Sequence, residues 1–309
     1  MTGRFAPTPS GDVHLGNAFC YLLAWLSARR QGGQVVLRME DADQPRTVPG
    51  SIGQTLEDLR WLGLDWDQGP EDGVPVPAWF QSARTAVYDR CLEELKKRKL
   101  AYPCYCSRAD LKLASAPHAG DGHAIYPGIC RNLTEAERAQ KNRAPAWRLE
   151  ALDTEIAFAD GLQGPVRLNL AWEWGDFPIR RADGVYCYQF IAALDDALMG
   201  VTEVVRSRDL LLSTPPQLYV QRLFGLPEPR YVHIPMLLDS KGARLAKRRG
   251  GLSLVQLRQR KSPEEVVGAL AYLAGLQPRP EPRTAASLTA DFSWDRVPRE
   301  DVLLPEGLL

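Results

Sequence analysis

Apolar and polar residues alternate along the chain with two periods. Arg4 to Ala6 reads as a short strand stopped by Pro7, and Thr8-Pro9-Ser10-Gly11-Asp12 is loop chemistry. From Leu15 to Arg30 the period becomes helical, with Leu15, Phe19, Leu22, Leu23 and Leu26 on one face, and Gly32-Gly33 ends it. Val35 to Met39 is a buried-strand pattern closed by Glu40-Asp41. A strand, loop, helix and strand in this order open a parallel α/β sheet. Ligands on such a sheet sit at the carboxyl ends of its strands, where Thr8 to Gly16 and Glu40 fall.

Helices are expected from Ser51 to Leu62 and from Ser82 to Lys99, the second ending in Lys96-Lys97-Arg98-Lys99 as a helix dipole favours. The texture changes at Ala101. Three cysteines fall around a Gly-, Pro- and His-rich loop, Pro117 to Gly128, and Trp147 to Ile156 and Val166 to Leu170 look like strands. Helical periodicity returns at Tyr188 to Met199, then a strand at Glu203 to Arg206, a helix at Pro215 to Phe224 and a strand at Val232 to Leu238. The chain after Leu252 reads as helical to Leu276 and then as Pro-rich and loosely patterned, a linker or an ordered surface wrap. The expected organisation is an α/β domain interrupted by an insertion, with a short helical appendix. Residues 1–100 and 186–250 form its two halves, 101–185 the insertion and 251–309 the appendix.

Composition narrows the function. The chain has 309 residues, 45% apolar, enough to bury a large core. Its 38 basic and 38 acidic side chains cancel, so any nucleic-acid site is a local patch and not the whole surface. The longest apolar-rich stretch, Ala18 to Ala28, is too short for a membrane span, and Met1 to Pro9 holds no signal-peptide core. Six cysteines without a secretion signal argue for a reducing cytoplasm and against a disulfide scaffold. A cytoplasmic protein with no membrane partner, acting as a monomer, is expected. Cys20, Cys91 and Cys187 lie on apolar patterns and are expected in the core.

Four groups of residues carry chemistry. His14-Leu15-Gly16-Asn17 sits between a strand and a helix start, where free N–H groups suit a phosphate, although a capping turn with an incidental histidine has the same pattern. Lys241 to Gly250 holds five basic residues and two glycines after a strand. Such a loop can close over a polyphosphate, or it is simply a solvated basic loop or an RNA contact. Arg4, Glu40 and Arg206 stand at strand ends and complement an acidic amino acid, two guanidiniums for its carboxylates and a carboxylate for its ammonium; ordinary surface ion pairs are the plainer alternative. Cys104, Cys106 and Cys130 leave one position of a tetrahedral zinc site open. Candidates for it are Tyr126, His118 and His123, and ligand chemistry favours a histidine.

Taken together these pieces resemble one family. Arg4-Phe5-Ala6-Pro7-Thr8-Pro9-Ser10-Gly11, His14-x-Gly16-Asn17 and Arg38-Met39-Glu40-Asp41 look like the opening of glutamyl-tRNA synthetases. Trp61 to Asp67, Tyr188-Gln189-Phe190 and Arg206 to Leu210 resemble that family too. His14 to Asn17 and Arg244 to Arg248 stand where class I synthetases carry their "HIGH" and "KMSKS" signatures. The spacing of Cys104-Tyr105-Cys106 and Tyr126-x3-Cys130, with only a short segment after the second signature, is similar to the glutamyl-queuosine tRNA(Asp) synthetases, which lack an anticodon-binding domain.

The resemblance implies a class I, Rossmann-like sheet with a zinc-containing, acceptor-type insertion that contacts tRNA. It implies glutamate activation by ATP, with magnesium, and transfer to queuosine at the wobble position of aspartate tRNA. It places glutamate against Arg4, Ala6, Thr8, Glu40, Tyr188 and Arg206. ATP falls to His14, Gly16, Asn17 and Lys247, with His14 and Lys247 catalytic, and structural zinc to Cys104, Cys106, Tyr126 and Cys130. The alternatives are a truncated glutamyl-tRNA synthetase and a non-catalytic RNA-binding paralogue. Two departures stand out: Asn17 closes the first signature, and the second, Arg244-Leu245-Ala246-Lys247-Arg248, has lost both serines and its first lysine.

Overall fold

The computed structural model describes residues 1–70, 77–107, 109–110, 125–243, 245 and 252–309. Lys247, His118 and His123 lie outside the described residues.

Strand β1 (Thr2–Phe5) leads through a loop into α1 (Leu15–Arg30) and back to β2 (Gln34–Leu37), which pairs parallel with β1. The same device recurs later, where β8 (Glu203–Ser207) pairs parallel with β9 (Arg230–Ile234). The two pairs lie side by side, joined where the Thr202 N–H donates to the Thr2 carbonyl at 2.9 Å. All four strands point their carboxyl ends toward one side, as a parallel sheet requires.

Helix α1 matches the sequence reading residue for residue, but it is buried nearly all round and not on one face. The C-terminal residues are the reason. Ala285, Leu288, Phe292 and Val297 join the same core as Leu15, Leu22 and Leu26, and the Trp294 indole donates to Ser27 on α1 at 3.2 Å. The loosely patterned tail is therefore an ordered wrap. At the end of α1 the chain turns through Gly32, at φ +62, and passes so close to Met1 that a Cβ on Gly33 would stand 2.5 Å from the Met1 carbonyl.

Helix α2 (Ser51–Trp61) follows, and α3 (Thr85–Lys97) begins three residues later than expected, after a tight 3-10 turn at Gln81–Arg84. Between α3 and the next long helix the strands are antiparallel. β3 (Ala101–Cys104), β4 (Ala146–Leu149) and β7 (Phe177–Arg180) form one sheet. β5 (Glu155–Asp160) and β6 (Gly164–Asn169) form a hairpin. Helices α4 (Tyr188–Leu198) and α5 (Thr214–Leu223) flank β8, and α6 (Pro263–Leu273) packs on α1.

The stretch expected as a single strand, Val232 to Leu238, is two. Pro235 has no N–H to donate, so the ladder stops at Ile234. Leu237–Leu238 (β10) instead pairs parallel with Val302–Leu303 (β11) of the tail. Likewise, the helical reading from Leu252 to Leu276 resolves into a short turn at Leu254–Leu257 and α6. Among the described residues no helix is long and apolar enough to cross a membrane.

Candidate active site and metal centre

A cleft of about 650 Å³ opens at the carboxyl ends of β1, β2, β8 and β9. It brings together Arg4, Ala6, Thr8, His14, Gly16, Asn17, Glu40, Tyr188 and Arg206, residues up to 202 positions apart in sequence. Each arrives by a different element. Arg4 is on β1, His14 caps α1, Glu40 follows β2, Tyr188 opens α4, and Arg206 is on β8.

The charged residues are not surface ion pairs. Arg4 and Arg206 are buried, and Arg38 is wholly so. Asp196, on α4, is shared by Arg4 at 3.3 Å and Arg38 at 2.8 Å, and Arg38 also reaches Glu40 at 3.0 Å. Burial would raise the pKa of Asp196, but the two guanidiniums outweigh it and hold the carboxyl below its usual range. At Glu40 the balance falls the other way: burial pushes the carboxyl up against the pull of Arg38 and Arg4.

Arg206 has no carboxylate partner among the described residues. Its five N–H groups all meet neutral acceptors. Nε donates to His233 Nε2 at 2.9 Å, Nη1 to the Tyr188 hydroxyl at 3.1 Å and Gln217 Oε1 at 2.7 Å, and Nη2 to Thr214 Oγ1 at 2.7 Å and the Leu210 carbonyl at 3.4 Å. Its charge is thus solvated by dipoles, and among the described residues Asp196 feels it only from a distance. Counting Arg4, Arg38 and Arg206 against Glu40 and Asp196, three cations face two carboxylates. Three guanidiniums thus crowd this wall, with Glu40 beside them and Asp12 and Asp209 elsewhere on the lining of the cleft.

The first signature is joined to the chain that follows the second. Leu15 N–H donates to the Leu252 carbonyl at 3.0 Å, and Leu254 N–H donates to the Val13 carbonyl at 2.9 Å. From Leu252 the chain therefore runs beside the cap of α1. The near end of the segment that carries Lys247 is held by Asp239, whose carboxylate accepts from the N–H groups of Lys241 and Ala243, and Leu245 lines the cleft. No pattern in the sequence announces this stitch, because the pairing is between short irregular segments.

Other lining residues escaped sequence reasoning. Cys20 was expected in the core, but it is half-buried and lines the cleft, since α1 turns that face toward β8; Cys91 and Cys187 are half-buried as well. Arg46 and Asp209 also line the cleft. Of the basic residues beyond the second signature, Arg258 pairs with Asp58 at 3.1 Å and Lys261 with Glu265 at 3.5 Å.

A second centre lies at the end of β3. The sulfurs of Cys104, Cys106 and Cys130 fall within 4.8 Å of one another, with Cys106 and Cys130 at 3.6 Å. The Tyr126 hydroxyl is 3.5 Å from the sulfurs of both Cys104 and Cys106. Zinc bonded tetrahedrally at its usual distances separates two sulfurs by about 3.8 Å and a sulfur from an oxygen by about 3.5 Å. The donor set fits that ion. The Arg148 guanidinium stacks 3.9 Å over the Tyr126 ring.

Comparison with known proteins agrees with this geometry. The family of class I tRNA synthetases (E and Q), catalytic domain, matches residues 1–290. A glutamyl-Q tRNA(Asp) synthetase of Symbiobacterium thermophilum is 50% identical over 99% of this chain and 96% of its own length. One from Nitratidesulfovibrio vulgaris is 47% identical, covering 100% and 97%. Among solved structures, a glutamate tRNA ligase of Elizabethkingia meningosepticum in complex with its amino acid superposes with a TM-score of 0.84 at 25% identity, covering 100% of this chain and 68% of that one. The chain belongs to the class I tRNA synthetases of the glutamyl and glutaminyl type. Within that class it is a member of the glutamyl-Q tRNA(Asp) synthetase family.

Proposed function

We propose that the protein activates L-glutamate with ATP and transfers the glutamyl group to the queuosine base at the wobble position of aspartate tRNA. The observation that carries this reading is the buried Arg206, with no carboxylate paired to it among the described residues, in one cleft with Arg4 and the partly buried carboxylate of Glu40. Such a wall rejects neutral side chains, because a buried cation facing an uncharged group would keep its desolvation cost. Glu40 holds the α-ammonium and the arginines face the carboxylates, with Ala6, Thr8 and Tyr188 completing the pocket.

ATP takes the α1 end. His14, Gly16 and Asn17 stand at the positive end of the helix dipole, which faces its phosphates. A carboxylate oxygen of glutamate attacks the α-phosphorus, the bond to the β-phosphate oxygen breaks, and pyrophosphate leaves. His14 and Lys247 neutralise charge as it develops, together with the magnesium that accompanies ATP. A hydroxyl of the queuosine cyclopentene ring then attacks the acyl carbon, loses its proton, and AMP departs. No protein nucleophile is needed; positioning does the work.

Zinc held by Cys104, Cys106, Cys130 and Tyr126 would be structural, since all four positions are protein ligands. We assign residues 101–185, which carry it, as the insertion that approaches tRNA between the two catalytic halves, 1–100 and 186–250, with 251–309 as the appendix. A cytoplasmic monomer is the expected form.

The test offers the protein labelled glutamate, ATP, aspartate tRNA with and without queuosine, and glutamate tRNA. Label only on the queuosine-bearing aspartate tRNA is the expected result. Label on glutamate tRNA would instead assign a minimal protein-synthesis enzyme. Absence of glutamate-dependent pyrophosphate exchange would point to a binding paralogue.

A further inference from the structure

The fork of Arg206 is set by a pair of residues that sequence reasoning did not single out. His233, on β9, is fully buried, and its Nε2 accepts from Arg206 Nε at 2.9 Å. The Thr214 hydroxyl stands 3.2 Å from the same nitrogen. The other ring nitrogen, Nδ1, lies 2.6 Å from Asp160 Oδ2. An arginine cannot accept a hydrogen bond, so Nε2 is the bare nitrogen and Nδ1 carries the proton toward Asp160. Burial keeps the imidazole neutral, holding its pKa below the usual value against the pull of Asp160.

Asp160 is itself fixed by backbone. Its carboxylate accepts from the N–H groups of Leu162 at 3.0 Å, Gln163 at 2.8 Å and His233 at 3.1 Å. It ends β5, so the tip of the β5–β6 hairpin is clamped to β9. The clamp is close: Gly161 N–H donates to the Tyr231 carbonyl at 2.8 Å, and a Cβ on Gly161 would stand 2.8 Å from both Val232 and the Arg230 guanidinium. The hairpin belongs to the antiparallel segment that also holds the cysteine cluster, whereas His233 and Arg206 belong to the parallel sheet.

We infer that Asp160 and His233 are positioning residues for amino-acid recognition, fixing the imidazole tautomer that holds the Arg206 fork against Tyr188 and so coupling the hairpin to the glutamate end of the cleft. This rests on the glutamate reading above. A misplaced tautomer would present an N–H to Arg206 in place of an acceptor, and two donors cannot share that contact. Arg206 would turn, and the Tyr188 hydroxyl it holds would turn with it.

The experiment compares the wild-type enzyme with Asp160→Asn, His233→Gln and His233→Leu in glutamate-dependent pyrophosphate exchange. Ring tautomers are read alongside by long-range proton–nitrogen correlation in protein labelled at its four histidines. Asp160→Asn is expected to raise KM for glutamate at least tenfold, to change KM for ATP by less than about twofold, and to lower kcat far less than it raises KM. One imidazole should lose its Nδ1–H signature. His233→Gln, which can still offer an acceptor to Arg206, should recover most of the glutamate affinity that His233→Leu loses. The inference is overturned if the tautomer changes while KM for glutamate does not. It is equally overturned if both KM values and the melting temperature move together in all three variants. Absence of exchange in the wild-type enzyme overturns the glutamate reading itself, and is seen before any variant is made.

Discussion

Glu40 and Asp196 sit in one buried cluster, bridged by Arg38, yet the protein drives their proton affinities apart. Asp196 has two guanidiniums within reach and stays ionised. Glu40 has one, and burial pushes its pKa up. The consequence has a definite sign. Between its unfolded pKa and its raised folded value the folded state binds the proton more readily, so acid favours the fold at this site while removing the charge that holds an ammonium. Glutamate affinity should therefore fade, as pH drops, above the range of ordinary carboxylates, while the fold persists; KM for glutamate measured against pH, beside melting curves, checks this. Glu40→Gln removes the charge at every pH and should weaken glutamate binding by about 1.5–3 kcal/mol, the worth of a charge-assisted hydrogen bond, with KM for ATP little altered. Lys247→Ala should act on the other substrate end. It should cost about 2–4 kcal/mol of barrier in adenylate formation and leave glutamate affinity nearly intact, which single-turnover kinetics and equilibrium binding separate. Arg4, Glu40 and Arg206 were legible as residues because strand ends carry ligands. Asp196 and His233 were not, since each sits in an apolar pattern that reads as core, and Asp160 lies 73 positions from the histidine it orients.

Elements were legible where period and punctuation agree. Helix α1 has both an apolar repeat and a Gly-Gly stop, and its bounds match. Where one signal was missing, the reading slipped: Pro235 divides an apolar run that looked continuous, and the start of α3 shifts behind a 3-10 turn. The cysteine cluster shows a different limit. Spacing singled out three sulfurs, but ligand chemistry pointed to a histidine for the fourth position, and what places the Tyr126 hydroxyl against two of them is a turn no periodicity encodes. Metal analysis should find about one zinc per chain. Cys106→Ser should lose that zinc and loosen the segment around β3, seen as faster amide exchange there, while exchange protection of α1 persists. Tyr126→Phe keeps the ring beneath Arg148 and should retain zinc with weaker affinity, because three sulfurs remain. Full retention of zinc and protection in Cys106→Ser would remove the cluster from the metal assignment.

At the scale of the whole molecule, the tail pairs with the short strand that follows the catalytic sheet. Val302 N–H donates to the Met236 carbonyl at 2.9 Å, Leu304 N–H to the Leu238 carbonyl at 2.8 Å, and the Met236 N–H to Asp301 at 2.9 Å. Met236 and Leu237 line the cleft, and the chain runs from Leu238 directly into the lysine signature. The last residues thus hold the root of the segment that carries Lys247. Their loss would uncover part of the core, since Val302, Leu304, Leu308 and Leu309 pack against it, whereas the ion pairs of Arg208 with Glu300 and Asp301 are solvent-facing and contribute little. Ending the chain after Arg299 keeps the carbonyl that Gln163 grips and the buried part of the wrap over α1, Ala285, Leu288, Phe292 and Val297. Such a protein should still fold on its buried core but melt below the full chain, and form adenylate roughly tenfold more slowly, about 1.4 kcal/mol of barrier, because the strand that leads into the signature has lost its partner. Glutamate affinity, set by β1, β2 and β8, should change little. If instead glutamate binding falls as much as the rate, the tail supports the amino-acid pocket and not the ATP side, and the division of the cleft between its two ends would have to be redrawn.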